Sequence, residues 1–150
     1  MGDNARTAHV ANLNGLLADA FALYVKTKNF HWHVRGPQFR DLHLMFDEQA
    51  TEVLALTDLI GERVRKNGAT THTSLGSLQR DSRIPPQDAT DLDAPAMIRE
   101  LIADNETFLA QLRATKDTAG EVGDNATDGI VDDWTDQCEQ RIWFLKQTLA

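Results

Sequence analysis

The sequence predicts an all-α fold: four long helices, with one long connection between the second and the third. Three observations predict it. Apolar residues recur at intervals of three and four through four separate segments. Turn residues fall between those segments, at Gly36-Pro37, Asn67-Gly68 and Gly120. No segment alternates apolar and polar residues as a half-buried strand does, and there is no internal repeat or low-complexity tract.

The first helix is expected from about Thr7 to Val34. Val10, Leu13, Leu17, Phe21 and Tyr24 make one apolar stripe, and Leu16, Leu23 and Phe30 make a second beside it. Continuing the first stripe by seven residues from Tyr24 reaches His31, a polar ring at the end of an apolar face. Gly36-Pro37 breaks this helix, and proline shortly before a new apolar pattern suits a helix start. The second helix should span about Gln38 to Lys66, with Leu42, Phe46, Val53, Leu56 and Ile60 as its core stripe and Gly68 as a left-handed cap.

Residues 69–92 lack a long period and contain Pro85-Pro86, so they read as a crossover, with room for a short helix in TSLGSLQR. A link of that length joins parallel helices rather than a tight hairpin. Asp93 and Pro95 then look like an N-cap and an early helical proline. The third helix should run to about Thr118, carrying Ile98, Leu101, Ile102, Phe108, Leu109 and Leu112, with Gly120 as its stop. The fourth, about Ala126 to Leu149, has its stripe at Val131, Trp134, Cys138, Ile142, Leu145 and Leu149.

Composition bounds the function. The 150 residues suit one domain, expected over 1–150 with a short N-terminal tail of about residues 1–6. No apolar run approaches the roughly 20 residues needed to span a bilayer. MGDNARTAHV lacks the basic patch and apolar core of a secretory signal. A single cysteine, Cys138, excludes an intrachain disulfide framework and fits a reducing compartment. A cytoplasmic location is the default expectation. The net charge is −8, and the segment from Asp117 to Gln140 carries eight acids and no Lys or Arg. Such a chain repels phosphate backbones and attracts cations. The first twenty residues hold only one Lys or Arg, Arg6, so no basic arm is there to grip DNA.

The chemistry concentrates between Lys28 and Gly68. His43 and Asp47 are four apart, and so are Asp58 and Glu62, so on one helix each pair shares a face. Imidazole with carboxylate suits iron or zinc. Acid pairs at this spacing are also common on solvated faces, and a lone histidine is often a satisfied core or surface residue. What favours a metal is the joint occurrence of His31, His43, Asp47, Asp58 and Glu62 on two helices. Eleven residues separate Asp47 from Asp58. That is about 16 Å along a helix with only about 20° of angular drift. The two pairs therefore lie on one face but too far apart to share a metal. Two copies of the second helix, antiparallel about a two-fold axis near Glu52 and Val53, would set each pair opposite its complement. No glutamate has a histidine three residues later, which disfavours a metal centre inside one bundle, and HExxH is absent.

The segment NFHWxVxGxxFxxLHxxFD, followed by DxxxER, resembles the core motif of the Dps family, the mini-ferritins. The match runs from Lys28 to Arg63, and the helix plan, of ferritin-like type, with the IWFL ending of the fourth helix, extends a weaker likeness over nearly the whole chain. The resemblance implies a hollow dodecamer of four-helix subunits. It implies a ferroxidase that oxidises Fe2+, preferably with hydrogen peroxide, stores ferric mineral inside and so protects against oxidative damage. His31, His43 and Asp47 match the iron ligands of one subunit, and Asp58 and Glu62 match those of its neighbour. Other divalent metals such as Zn2+ would substitute there. Trp32 matches the aromatic beside the site, which takes up oxidising equivalents. His33 stands where the family often has asparagine, either as an extra ligand or in a supporting or surface role, the latter being expected.

Asp124, Asp128, Asp132 and Asp136 repeat at four along the fourth helix. The plain reading is a solubilising outer face, helped at Asp124 and Asp128 by the positive helix N-terminus. The resemblance suggests instead that some of these acids line a three-fold pore that admits Fe2+, with Asp128 and Asp132 the expected pair. Gly129 sits near where many relatives place a pore acid. Cys138, on the apolar stripe, is expected to be core. Two rival functions stay open at this point: a nucleoid-associated DNA-binding structural protein, which needs exposed basic residues, and a bundle whose polar pairs only hold a dimer together. The lysine-rich arm of DNA-binding relatives has no counterpart in this sequence, so direct DNA binding is not expected.

Overall fold

The computed structural model describes residues 2–150. Among them are five helices: α1 (Asp3–His33), α2 (Phe39–Lys66), α3 (Leu75–Asp81), α4 (Ala94–Val122) and α5 (Asn125–Leu149). The four long ones pack as a bundle, α1 against α2 and α4, and α4 against α5, with α3 lying on α1. No strand occurs among the described residues, and no helix there is long and apolar enough to cross a membrane.

Side-chain bonds fix the directions. His9 and Asn12 near the start of α1 bond Thr118 near the end of α4, while Lys26 near the end of α1 pairs with Asp104. So α1 and α4 are antiparallel. The turn over residues 34–38 makes α1 and α2 antiparallel as well, which leaves α2 and α4 parallel. The crossover of residues 67–93 is what such an arrangement requires. Arg63 bonds Thr127 and Gln49 bonds the Arg141 carbonyl, setting α5 antiparallel to α2.

The core follows the predicted stripes. Leu42, Phe46, Val53, Leu56 and Ile60 of α2 are buried to 2% exposure or less. In α1 the buried face takes in the second stripe, Leu16, Leu23 and Phe30, with Leu13 and Leu17 of the first, whereas Val10, Phe21 and Tyr24 are only partly buried at its flank. Gly68 follows α2 at φ 82°, as the sequence led one to expect of a left-handed cap.

Two boundaries differ from expectation. α1 begins at Asp3 rather than Thr7, so most of the supposed tail is already helical; Asp3 itself supplies an acid to the first turn. Gly120 does not stop α4. A side chain there would meet only the Asp128 carboxylate, at 3.9 Å, so nothing forces the chain to turn. The helix continues to Val122 and ends at Gly123, which takes the left-handed conformation (φ 74°). Asp124 then caps α5 through the Thr127 amide.

Candidate metal centre

His31 lies in the last turn of α1 and His43 in the second turn of α2, and the short link of residues 34–38 folds one helix end onto the other. Their rings stack with centroids 3.8 Å apart and planes 13° off parallel. The pair is locked reciprocally: His31 Nδ1 donates to the His43 carbonyl at 2.6 Å, and His43 Nδ1 donates to the His31 carbonyl at 2.7 Å. A carbonyl only accepts, so each Nδ1 must carry the hydrogen. Each Nε2 is then the atom with a lone pair to offer, as a metal-ligating histidine needs. The His31 carbonyl is one of those that a helix end leaves without an intrahelical donor, and His43 supplies one.

Asp47 sits one turn beyond His43 and stays on the surface, 45% exposed at its side chain. Its Oδ1 is 3.9 Å from His31 Nε2 and accepts from Lys28 Nζ at 2.8 Å. That hydrogen bond, with the charge of Lys28 behind it, holds the Asp47 carboxyl below the ordinary aspartate value. The fit to a metal is fair: bonds of about 2.0–2.2 Å from each atom would span the gap between His31 Nε2 and Asp47 Oδ1. Trp32 is 64% exposed beside them, with Lys28 Nζ 5.7 Å from its ring centroid. His33 is exposed, and its Nδ1 is tied to Asn29, so it does not join the pair.

Asp58 and Glu62 lie further along α2, lining an open cleft of about 370 Å³ with Leu17, Phe21, Arg65 and Thr71. They share a face one turn apart, and among the described residues lining the cleft there is no histidine. Among the described residues, no group of three or more His, Cys, Asp or Glu is close enough to hold a metal ion. The five predicted residues are thus divided. His31, His43 and Asp47 lie at one end of α2 without forming a metal-holding group of their own, and Asp58 and Glu62 lie one turn apart toward the other. Apolar side chains are left exposed on the same two helices, at Val25, Leu44, Leu54 and Leu59, each 40% exposed or more.

Asp128 and Asp132 share one partner, Lys116 of α4, at 2.5 and 2.8 Å. Hydrogen bonds to the two carboxylates push the Lys116 ammonium above its ordinary pKa. Asp124 does not belong to a surface row of acids, which corrects that expectation. Its side chain is 6% exposed and holds Arg63, His9, Asn67 and Thr127 together. Burial opposes its ionisation, but hydrogen bonds from Thr127, Asn67 and His9 outweigh this and hold its carboxyl well below the usual range. Gly123 immediately before it and the helix after it are a cap signal that a reading by fours passes over; nothing in the local sequence points to His9 as its partner. Cys138 is buried as expected, and burial pushes its thiol up to about 11, which leaves it inert.

Three comparisons bear on this geometry. A family model described as a ferritin-like domain matches residues 10–150. The "DNA protection during starvation protein" of Brevibacillus brevis is 33% identical over 138 residues, 91% of each chain. Among solved structures, a Dps protein from Bacillus brevis covers 100% of both chains at 29% identity with a TM-score of 0.94. A Dps protein from Vibrio cholerae O1, described as one of the "ferritin-like diiron-carboxylate proteins", is 25% identical with a TM-score of 0.92, covering 100% of this chain and 94% of its own.

Proposed function

Since the chain belongs to the Dps family of ferritin-like proteins, we propose that it is a ferroxidase that oxidises Fe2+ and stores the ferric product. The observation that carries this reading is the division of five metal-type ligands into two incomplete halves, four of them along one face of α2 and His31 at the end of α1. Two copies of α2, antiparallel about an axis near Glu52 and Val53, bring the histidine half of one chain to the acid half of the other. Each dimer then holds two identical sites. The apolar side chains at Val25, Leu44, Leu54 and Leu59 would be covered by that contact.

Fe2+ is the substrate. His31 and His43 would offer Nε2, and Asp47, Asp58 and Glu62 would offer carboxylate oxygens. A set rich in oxygen and poor in nitrogen accommodates both Fe2+ and the harder Fe3+. Two ferrous ions supply the two electrons that reduce one hydrogen peroxide to water, so no hydroxyl radical is released. Trp32, exposed next to the histidine half, is placed to take up stray oxidising equivalents. The stored product calls for a closed shell, and a dodecamer is the assembly we propose. Protection of DNA then needs no contact with it, in keeping with a net charge of −8. Fe2+ and peroxide added to the assembled protein should give ferric absorbance at two Fe2+ per peroxide. A monomer in light scattering, or no absorbance above a protein-free control, would refute the reading.

Asp128 and Asp132, held side by side by Lys116 on the solvent side of α5, are the acids we propose for the iron-admitting pore. Changing both to asparagine should slow iron uptake by the assembled shell about tenfold. Oxidation by protein already loaded with Fe2+ should not change. Stopped-flow mixing in the two orders separates these, and equal uptake by variant and wild type would remove both acids from the path.

A further inference from the structure

We propose that Lys28 is a resident cation of the iron site: its ammonium occupies the carboxylate oxygen that Fe2+ must take, and so sets how tightly iron is held. This rests on His31, His43 and Asp47 being iron ligands. Lys28 Nζ lies 2.8 Å from Asp47 Oδ1, the same oxygen that stands 3.9 Å from His31 Nε2. The Lys28 side chain is only 21% exposed, so the ion pair is screened less than one on an open surface.

A divalent ion and an ammonium bound to one carboxylate oxygen would sit within a few ångströms of each other and repel strongly. Iron binding therefore requires the ammonium to withdraw. The Trp32 ring gives it somewhere to go: Nζ already lies 5.7 Å from the ring centroid, within cation–π range. Lys28 thus has two seats, the Asp47 carboxylate in the metal-free protein and the Trp32 face in the loaded one. The return of Lys28 to Asp47 opposes retention of the oxidised ion. A protein that must pass its product on to a mineral gains from such a competitor.

The alternative role for Lys28 is purely structural, fixing the Asp47 rotamer for metal. The two roles predict opposite signs. Zn2+, which takes the same ligands without redox chemistry, is titrated calorimetrically into the assembled wild type, Lys28→Gln, Lys28→Arg and a His31→Ala/His43→Ala variant. With Lys28 as competitor, Lys28→Gln binds Zn2+ about three- to tenfold more tightly than wild type. Half-saturating Fe2+ in the oxidation assay falls by a similar factor, and Lys28→Arg stays near wild type. Unchanged or weaker binding by Lys28→Gln overturns the proposal, as does equal tightening in Lys28→Arg. Loss of Zn2+ binding in the double-histidine variant upholds the ligand assignment on which the comparison stands. Undiminished binding there overturns that assignment, and the role of Lys28 with it.

Discussion

Alanine at both Asp58 and Glu62 should lower the rate of Fe2+ oxidation by roughly two orders of magnitude or more, while leaving the assembly intact. The size follows from ligand chemistry: loss of groups that merely support a metal ligand costs 10–100-fold, and these are proposed ligands themselves. The selectivity follows from position. Both side chains line an open cleft, and the one ion pair in which either takes part among the described residues, Glu62 with Lys66 at 3.9 Å, is exposed at both ends and worth little to stability. His31→Ala should show the same loss, although the two changes lie on different helices. Stopped-flow ferric absorbance measures the rate, and light scattering on the same samples checks that assembly survives. Wild-type rates in the Asp58→Ala/Glu62→Ala variant would remove the acid half from the site.

The second large effect is on stability. Asp124→Ala should destabilise the fold by about 3–5 kcal/mol at neutral pH. The carboxylate is the common partner of His9 from α1, Arg63 from α2, Asn67 just after α2, and Thr127 from α5. Removing it leaves Arg63 without its counter-charge, at 14% side-chain exposure, and His9 fully buried without its Nε2 partner. It also removes the cap of α5, which alone is worth about 1 kcal/mol. The pH dependence has a definite sign. The folded pKa of Asp124 lies below its unfolded value, so this stabilisation is complete above the unfolded pKa of about 3.9 and shrinks as pH falls toward the folded one. In chemical denaturation the gap between wild type and Asp124→Asn should therefore shrink progressively as pH falls below about 4. A gap that widened as pH fell below about 4 would contradict the assignment.

Much of this was legible from residue spacing, and the misses have physical causes. The second helix was bounded to within a residue or two because Gly36-Pro37 and Asn67-Gly68 punctuate it with residues the backbone needs there. The end of the third was misplaced because a glycine inside a helix costs only about 1 kcal/mol against alanine, a cost that packing can absorb. Gly123, not Gly120, has the conformation that only glycine adopts easily. The buried charges escaped notice, although a signal existed. Lys26 lies in register between Leu23 and Phe30, Asp104 between Leu101 and Phe108, and Arg141 between Cys138 and Leu145. A charge inside an apolar stripe implies an opposite charge facing it. Lys26 does meet Asp104 at 2.9 Å, and Arg141 meets Glu52 at 2.6 Å. Which charges pair is set by how the helices meet, and no local pattern holds that information. The five ligand candidates were legible as residues for the same reason that their site was not: four of them share one helix, whereas the site we propose needs a second chain.

That dependence on a second chain can be measured directly. One chain carries His31→Ala and His43→Ala, the other Asp58→Ala and Glu62→Ala, and assemblies containing both are isolated through a different affinity tag on each. Either chain alone has no intact site. In a mixed dimer, one site loses both halves while the other recovers an intact histidine half from one chain and an intact acid half from its partner. With random pairing, the mixed assembly should regain about a quarter of wild-type ferroxidase activity. A mixed assembly as inactive as its two parents would contradict a site shared between subunits.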